Sequence, residues 1–164
     1  MSEVYVECLV QAKNSMFLKF FQALLVILAV ILAFIGIYFF WPALLGAIAA
    51  GVGAYFCYMN SDIEYEYLYL DRELSVDKVM AKSKRKRVAV FTVERMEILA
   101  PIHSYHLDGF KNRNVMVRDF SGGEEQPDLR YAMYYEGGTK VILTPSEELV
   151  KALKSVAPRK VFAD

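Results

Sequence analysis

The chain has 164 residues, and its 19 basic side chains balance 19 acidic ones, so no excess of positive charge points to nucleic acid. Hydrophobic residues make up 55%, above the roughly 45–50% of an ordinary soluble domain. That excess is concentrated in one stretch, which excludes a simple soluble module. The two cysteines, Cys8 and Cys57, have neither the spacing of a metal site nor that of a disulfide framework, and read as reduced thiols.

Residues 1–15 form a lead-in segment. In "VYVECLV" (4–10), Val4, Val6, Cys8 and Val10 alternate with Tyr5, Glu7 and Leu9, the pattern of a half-buried strand. Such a strand would cover an open sheet edge further along the chain; a short amphipathic lead-in to the next helix is the alternative.

From Phe20 to Met59 there is no Asp, Glu, Lys, Arg or His. A single straight helix over that run would be about 60 Å long, roughly twice the hydrocarbon thickness of a bilayer. The run must therefore fold back, and Trp41-Pro42 is the natural break, because proline is tolerated in a first helical turn and forces the preceding residue out of the α region. This predicts two spans, Phe20–Phe40 and Pro42–Met59, in a hairpin occupying 16–59. Ala47-Ile48-Ala49 resembles a signal cleavage site, but the apolar run before it is far longer than the 7–15 residues of a signal core. Lys13 and Lys19 precede the first span and 17 Lys/Arg follow the second. The bias of cations toward the inner face then puts both termini in the cytoplasm of a cell-membrane protein with two spans. Tyr38, Phe39, Phe40 and Trp41 fall where the outer aromatic belt belongs. Phe17, Phe20, Phe21, Tyr55, Phe56 and Tyr58 fall where the inner one belongs.

Gly46, Ala50 and Ala54, with Ala49 and Gly53, form small-residue rows that let another helix approach closely. The first span is the nearest partner; a second copy of the chain, in a homo-oligomer, is the other. Neither span carries an ionisable residue, which argues against a transporter or a proton path.

Residues 60–164 read as one domain. Strand-like runs recur at 63–70, 74–81, 85–93, 95–102, 115–120, 129–136 and 140–144, separated by turn residues such as Gly137-Gly138. The glycine-rich, acidic "GGEEQPD" (122–128) reads as a mobile surface loop. The chain closes on a helix. Thr144 is expected as its N-cap, Pro145 at its first position and Glu147 completing a capping box, with Leu149, Val150, Leu153 and Val156 on one face.

This order, with "EYEYLYLDRELSVDKVMAKSKRKRV" and "ERMEILAP", resembles an uncharacterised group of small bacterial membrane proteins carrying a two-helix hairpin and a pleckstrin-homology-like domain. The resemblance implies an α+β fold: a transmembrane helical hairpin followed by a bent seven-stranded barrel or sandwich with a C-terminal helix. It also implies a binding or scaffolding module with no catalytic signature and no cofactor. Its partners would be the bilayer, anionic headgroups and a protein not named by the sequence. Two other functions stay open, an accessory subunit of a larger membrane complex and an enzyme acting on a membrane substrate. Eukaryotic domains of this fold bind phosphoinositides through an early basic hairpin, but the spacing here differs and that ligand is not carried over.

Lys82, Lys84, Arg85, Lys86 and Arg87 are the candidate lipid-binding residues. Only Asn60, Ser61 and Asp62 separate the second span from the first strand. That strand runs out about 26 Å at 3.3 Å per residue and the next runs back, which returns the basic turn to headgroup level. Each cation close to an anionic leaflet contributes about 1 kcal/mol. A solvated turn is the competing reading. Elsewhere, His103, His106 and Asp108 lie between Pro101 and Gly109 in a loop that supplies no further metal ligands. Neither a nucleophile elbow nor a phosphate-binding glycine pattern is present.

Overall fold

A computed structural model describes residues 5–12, 15–123 and 129–163; Val4, Lys13 and the loop residues 124–128 lie outside these. The described residues of 14–63 and 80–84 form one compact unit, and those of 1–13, 64–79 and 85–164 form a second.

The first unit is built on two helices, α1 (Met16–Tyr38) and α2 (Ala43–Ser61). Ser15 caps α1, its Oγ accepting the Leu18 N–H at 3.3 Å. The helix stops where the N–H groups of Phe39 and Phe40 both turn back to the Ile35 carbonyl. Pro42 then stands at the N-cap of α2, the position its fixed φ and missing N–H allow. Reversal in so few residues requires the helices to touch. Gly36 is buried, and a Cβ there would lie 2.7 Å from Leu44 Cγ and 2.9 Å from the Leu44 backbone nitrogen. Both helices are long and apolar enough to cross a membrane.

The second unit has two four-stranded sheets. In the first, β1 (Val6–Gln11), β2 (Ile63–Leu70), β3 (Glu73–Met80) and β4 (Lys84–Thr92) follow in chain order. The strand alternative for the N-terminal segment is the one realised. β1 pairs antiparallel with β2, from Val6 opposite Tyr69 to Gln11 opposite Glu64. Val6, Cys8 and Val10 thereby pack on the core, while Tyr5, Glu7 and Leu9 face outward. The second sheet contains β5 (Met96–Pro101), β6 (Met116–Asp119), β7 (Tyr131–Tyr135) and β8 (Thr139–Leu143) in the order β5-β7-β8-β6. Gly137 and Gly138, at φ 91° and 77°, turn β7 into β8 as their sequence predicts. β6 runs parallel to β8.

Of the barrel or sandwich expected, the closed barrel is corrected. The chain forms two sheets with no closed barrel, since no backbone ladder joins β4 to β6 among the described residues. One side-chain hydrogen bond reaches across there, from Arg118 Nη2 to the Val88 carbonyl at 3.3 Å. At the opposite end the β5 edge is covered by the C-terminal segment through the Leu99–Val161 bridge.

α3 (Glu147–Val156) buries Leu149, Val150, Ala152 and Leu153 in the core with Tyr67, Leu74, Val76, Leu99, Met133 and Val141. Its cap differs from expectation. Ser146 is the N-cap, its Oγ accepting the Leu149 N–H at 3.2 Å. Thr144 is unavailable because its Oγ1 accepts the Gly122 N–H and its own N–H donates to Tyr67 Oη. The fully buried Tyr67 hydroxyl in turn donates to the Phe120 carbonyl, so one phenol ties β2 to the ends of β6 and β8.

Two outcomes test this packing. Tyr67→Phe leaves two buried backbone groups unpaired and should lower unfolding stability by about 1–3 kcal/mol, measured by denaturant titration of the detergent-solubilised protein. Gly36→Ala drives a methyl into Leu44 and should lower the melting temperature, while Gly51→Ala, where nothing lies within 4 Å, should leave it unchanged.

Candidate functional site

The basic cluster begins in the turn between β3 and β4. Ala81 and Lys82, at φ 49° and 53°, both adopt the left-handed conformation, and the Ser83 N–H closes the turn onto the Met80 carbonyl at 3.1 Å. This is the two-residue hairpin whose twist matches that of its strands, built here without glycine. Each non-glycine residue in that region costs roughly 1–2 kcal/mol. The β2–β3 turn uses the same geometry at Asp71 and Arg72, at φ 49° and 64°.

Residues 80–84 belong to the helical unit. The Ala81 N–H donates to the Asp62 carbonyl, the C-cap residue of α2, at 2.8 Å. Lys84 Nζ lies 5.9 Å from the centroid of the exposed Tyr55 ring, a cation–π contact with the last turns of α2. The turn therefore sits beside the C-terminal end of the second apolar helix. Tyr55 and Asp62 are the residues sequence reasoning did not assign to this site, although Tyr55 falls in the inner aromatic belt it anticipates.

The five candidate cations do not act alike. Arg85 Nη2 hydrogen-bonds to Glu66 Oε1 at 3.0 Å and lies 2.8 Å from Oε2. Arg87 Nε binds Asp77 Oδ1 at 3.2 Å. Both carboxylates are buried, Glu66 at 2% and Asp77 at 5% exposure, so these arginines neutralise charges that water does not reach. Lys82, Lys84 and Lys86 are exposed and make no ion pair among the described residues. Two guanidinium groups are thus committed to the fold, while the three ammonium groups are exposed.

The helix-packing candidates also divide. Ala50 and Ala54 are buried; a Cβ on Gly46 would lie 3.3 Å from Leu32 and one on Gly53 3.4 Å from Leu25, so these positions face α1. Ala49 is exposed. The histidine loop holds no metal-ligand geometry: His106 stacks on Phe162 at 3.8 Å and Asp108 binds Lys111 at 2.6 Å. No group of three His, Cys, Asp or Glu suited to a metal occurs among the described residues. A cleft of about 280 Å³ opens at the end of α3 beside Arg72, Glu94 and Lys160. Glu94 already engages its cations, Arg72 through the carboxylate at 3.5 Å and Lys160 through the backbone carbonyl at 2.8 Å.

The family profile described as Bacterial PH-like domain (DUF6106) matches residues 2–163, and the chain belongs to this family. No curated protein and no solved structure matches it. The family places the chain among binding or scaffold modules, a class that is generally non-catalytic.

Dividing the cations predicts divergent mutational effects. Arg85→Gln strands a buried carboxylate and should cost about 1–3 kcal/mol of stability. Lys84→Gln and Lys86→Gln should stay within about 0.5 kcal/mol, as exposed substitutions usually do. Ala81→Gly should stabilise the protein by relieving the left-handed strain. Chemical denaturation of the four variants in one detergent checks all of these.

Proposed function

We propose that the chain is a membrane-anchored PH-like binding module. In this reading α1 and α2 cross the cell membrane as a hairpin, both termini are cytoplasmic, and the β3–β4 turn meets anionic headgroups through Lys82, Lys84 and Lys86. The observation that supports it is the attachment of that turn to the end of α2, through Ala81 to Asp62 and through Lys84 to Tyr55. An apolar helix that spans a bilayer ends near the headgroups, and cations held beside that end meet the surface potential where it is strongest. Three lysines at about 1 kcal/mol each would be enough to fix the orientation of a domain that is already tethered. Arg85 and Arg87 are left out of the contact because Glu66 and Asp77 hold them.

The domain works by binding rather than catalysis in this account. This follows the family, whose PH-like domains are generally non-catalytic.

The test uses the whole chain, because a fragment starting at residue 60 would remove β1 and bare the edge of β2. Reconstituted in nanodiscs, residues 80–86 should exchange amide hydrogen more slowly in anionic than in neutral lipid. The difference should shrink at high salt and vanish when Lys82, Lys84 and Lys86 are all changed to Gln. Equal exchange in both lipids would make the lysines a solvated turn and leave a protein as the partner to be sought.

A further inference from the structure

The cleft of about 280 Å³ at the end of α3 shares no residue with the β3–β4 turn, and all of its walls belong to the second compact unit. Its floor is apolar, formed by Val93, Val156 and Pro158. Val156 is 40% exposed, although Leu149 and Leu153, which share its helix face, are buried in the core. An aliphatic side chain is thus left half-covered at the mouth of a concave site. The rim is cationic, with Arg72, Arg159 and Lys160 standing around it and Glu94 its one acidic side chain.

Both cationic walls are pinned by backbone hydrogen bonds. The Arg72 carbonyl accepts the Val93 N–H at 2.9 Å, and the Lys160 carbonyl accepts the Leu99 N–H at 2.8 Å. The Lys160 N–H in turn donates to the Ala157 carbonyl at 3.0 Å. Arg72 is held at φ 64°, a conformation that glycine would adopt at lower cost. Strain of that kind, kept by surrounding structure beside a cleft, is a feature of sites that position a side chain.

The charges around the cleft do not cancel. Glu94 meets Arg72 at 3.5 Å with both side chains exposed, a pairing that contributes little in water. Lys160 Nζ donates to the Glu94 backbone carbonyl at 2.8 Å, which satisfies a donor without neutralising its charge. Arg159 is exposed and makes no ion pair among the described residues. The end of α3 adds roughly half a negative charge. A surplus of positive charge therefore stands over an apolar floor.

We propose that this cleft binds a small aliphatic carboxylate, its hydrocarbon body on Val93 and Val156 and its head on Arg72 and Arg159. A planar guanidinium presents paired N–H donors that match a carboxylate, which an alcohol or an amine cannot replace. The volume is just below the range of about 300–1,000 Å³ of drug-sized pockets, so the ligand is a head with a few carbons. This site goes beyond the lipid-facing lysines and does not depend on them.

Glu94 has a defined part in this arrangement. Its carboxylate already lies against Arg72, so it competes with the carboxylate of the ligand for the same guanidinium. Removing its charge should strengthen binding, whereas removing either arginine should weaken it. Each methylene of the ligand that is fully covered by the floor should raise affinity by up to about fourfold.

The experiment is methyl NMR of the full chain, labelled at valine and held in nanodiscs of neutral lipid, titrated with butyrate, hexanoate, hexan-1-ol and hexylamine. The Val93 and Val156 methyls should shift saturably with both carboxylates, more tightly with hexanoate, and should not shift with the alcohol or the amine. Arg72→Gln and Arg159→Gln should each weaken hexanoate binding about two- to fivefold, and Glu94→Gln should strengthen it by a similar factor. All three side chains are exposed, so these variants should keep the fold. N-acetylvaline, which carries the carboxylate of a peptide end, distinguishes the sources: tighter binding than hexanoate assigns the site to a protein C-terminus, and weaker binding to a free acid. Equal shifts with hexan-1-ol or hexylamine, no shift at Val93 and Val156, or a Glu94→Gln variant that binds hexanoate no tighter than wild type would overturn the proposal.

Discussion

The chain reversal between Tyr38 and Ala43 is the constraint on which the rest of the structure depends. Forty residues without a charge have to be folded back, and the close approach of Gly36 to Leu44 lets them do so in a tight turn. Two helices joined this way bring the segments before α1 and after α2 to the same end of the hairpin. The strands those segments become, β1 and β2, then pair antiparallel over six residues. A hydrophobic run thereby determines which strand covers the sheet edge. Without the reversal, β2 would present its backbone to solvent as an open edge.

The same geometry divides the basic cluster into paired arginines and exposed lysines. Strand alternation places Arg85 and Arg87 over the buried carboxylates of β2 and β3, where removing one partner is expensive. The lysines between and before them are exposed and make no ion pair among the described residues. Charge density alone would have treated the five residues as one patch. Burial of Glu66 and Asp77 separates them. It also accounts for a positive run in a neutral chain: two of the five charges offset acids inside the same sheet.

Much of this architecture was legible in the sequence for identifiable reasons. The absence of charge from Phe20 to Met59 and the Trp41-Pro42 break locate the helices, because both signals are local. The tyrosine alternation in β2 and the Gly137-Gly138 turn are equally local. What escaped the sequence depends on distant pairing. Thr144 looks like a better cap than Ser146 until Gly122 and Tyr67 occupy it. Arg85 meets Glu66 across 19 residues of chain, which no spacing rule anticipates. A barrel or sandwich was what the resemblance implied; β6 spans four residues and pairs with β8 in parallel, and among the described residues β4 has no ladder partner beyond β3. The recruitment of residues 80–84 to the end of α2 is likewise a tertiary event, resting on one backbone hydrogen bond and one ring contact.

The central claim is that the hairpin crosses the membrane with the sheet domain and its lysine turn on the cytoplasmic side, and labelling of single cysteines tests it most directly. With Cys8 and Cys57 replaced by serine, Ser83→Cys would report on the β3–β4 turn and Phe40→Cys on the helix reversal. Each would be exposed to a membrane-impermeant maleimide in right-side-out and in inverted membrane vesicles. The account predicts that residue 83 reacts only in inverted vesicles and residue 40 only in right-side-out ones. Reaction of both positions from the same side would contradict it, because the helices would then lie on or beside the bilayer rather than through it.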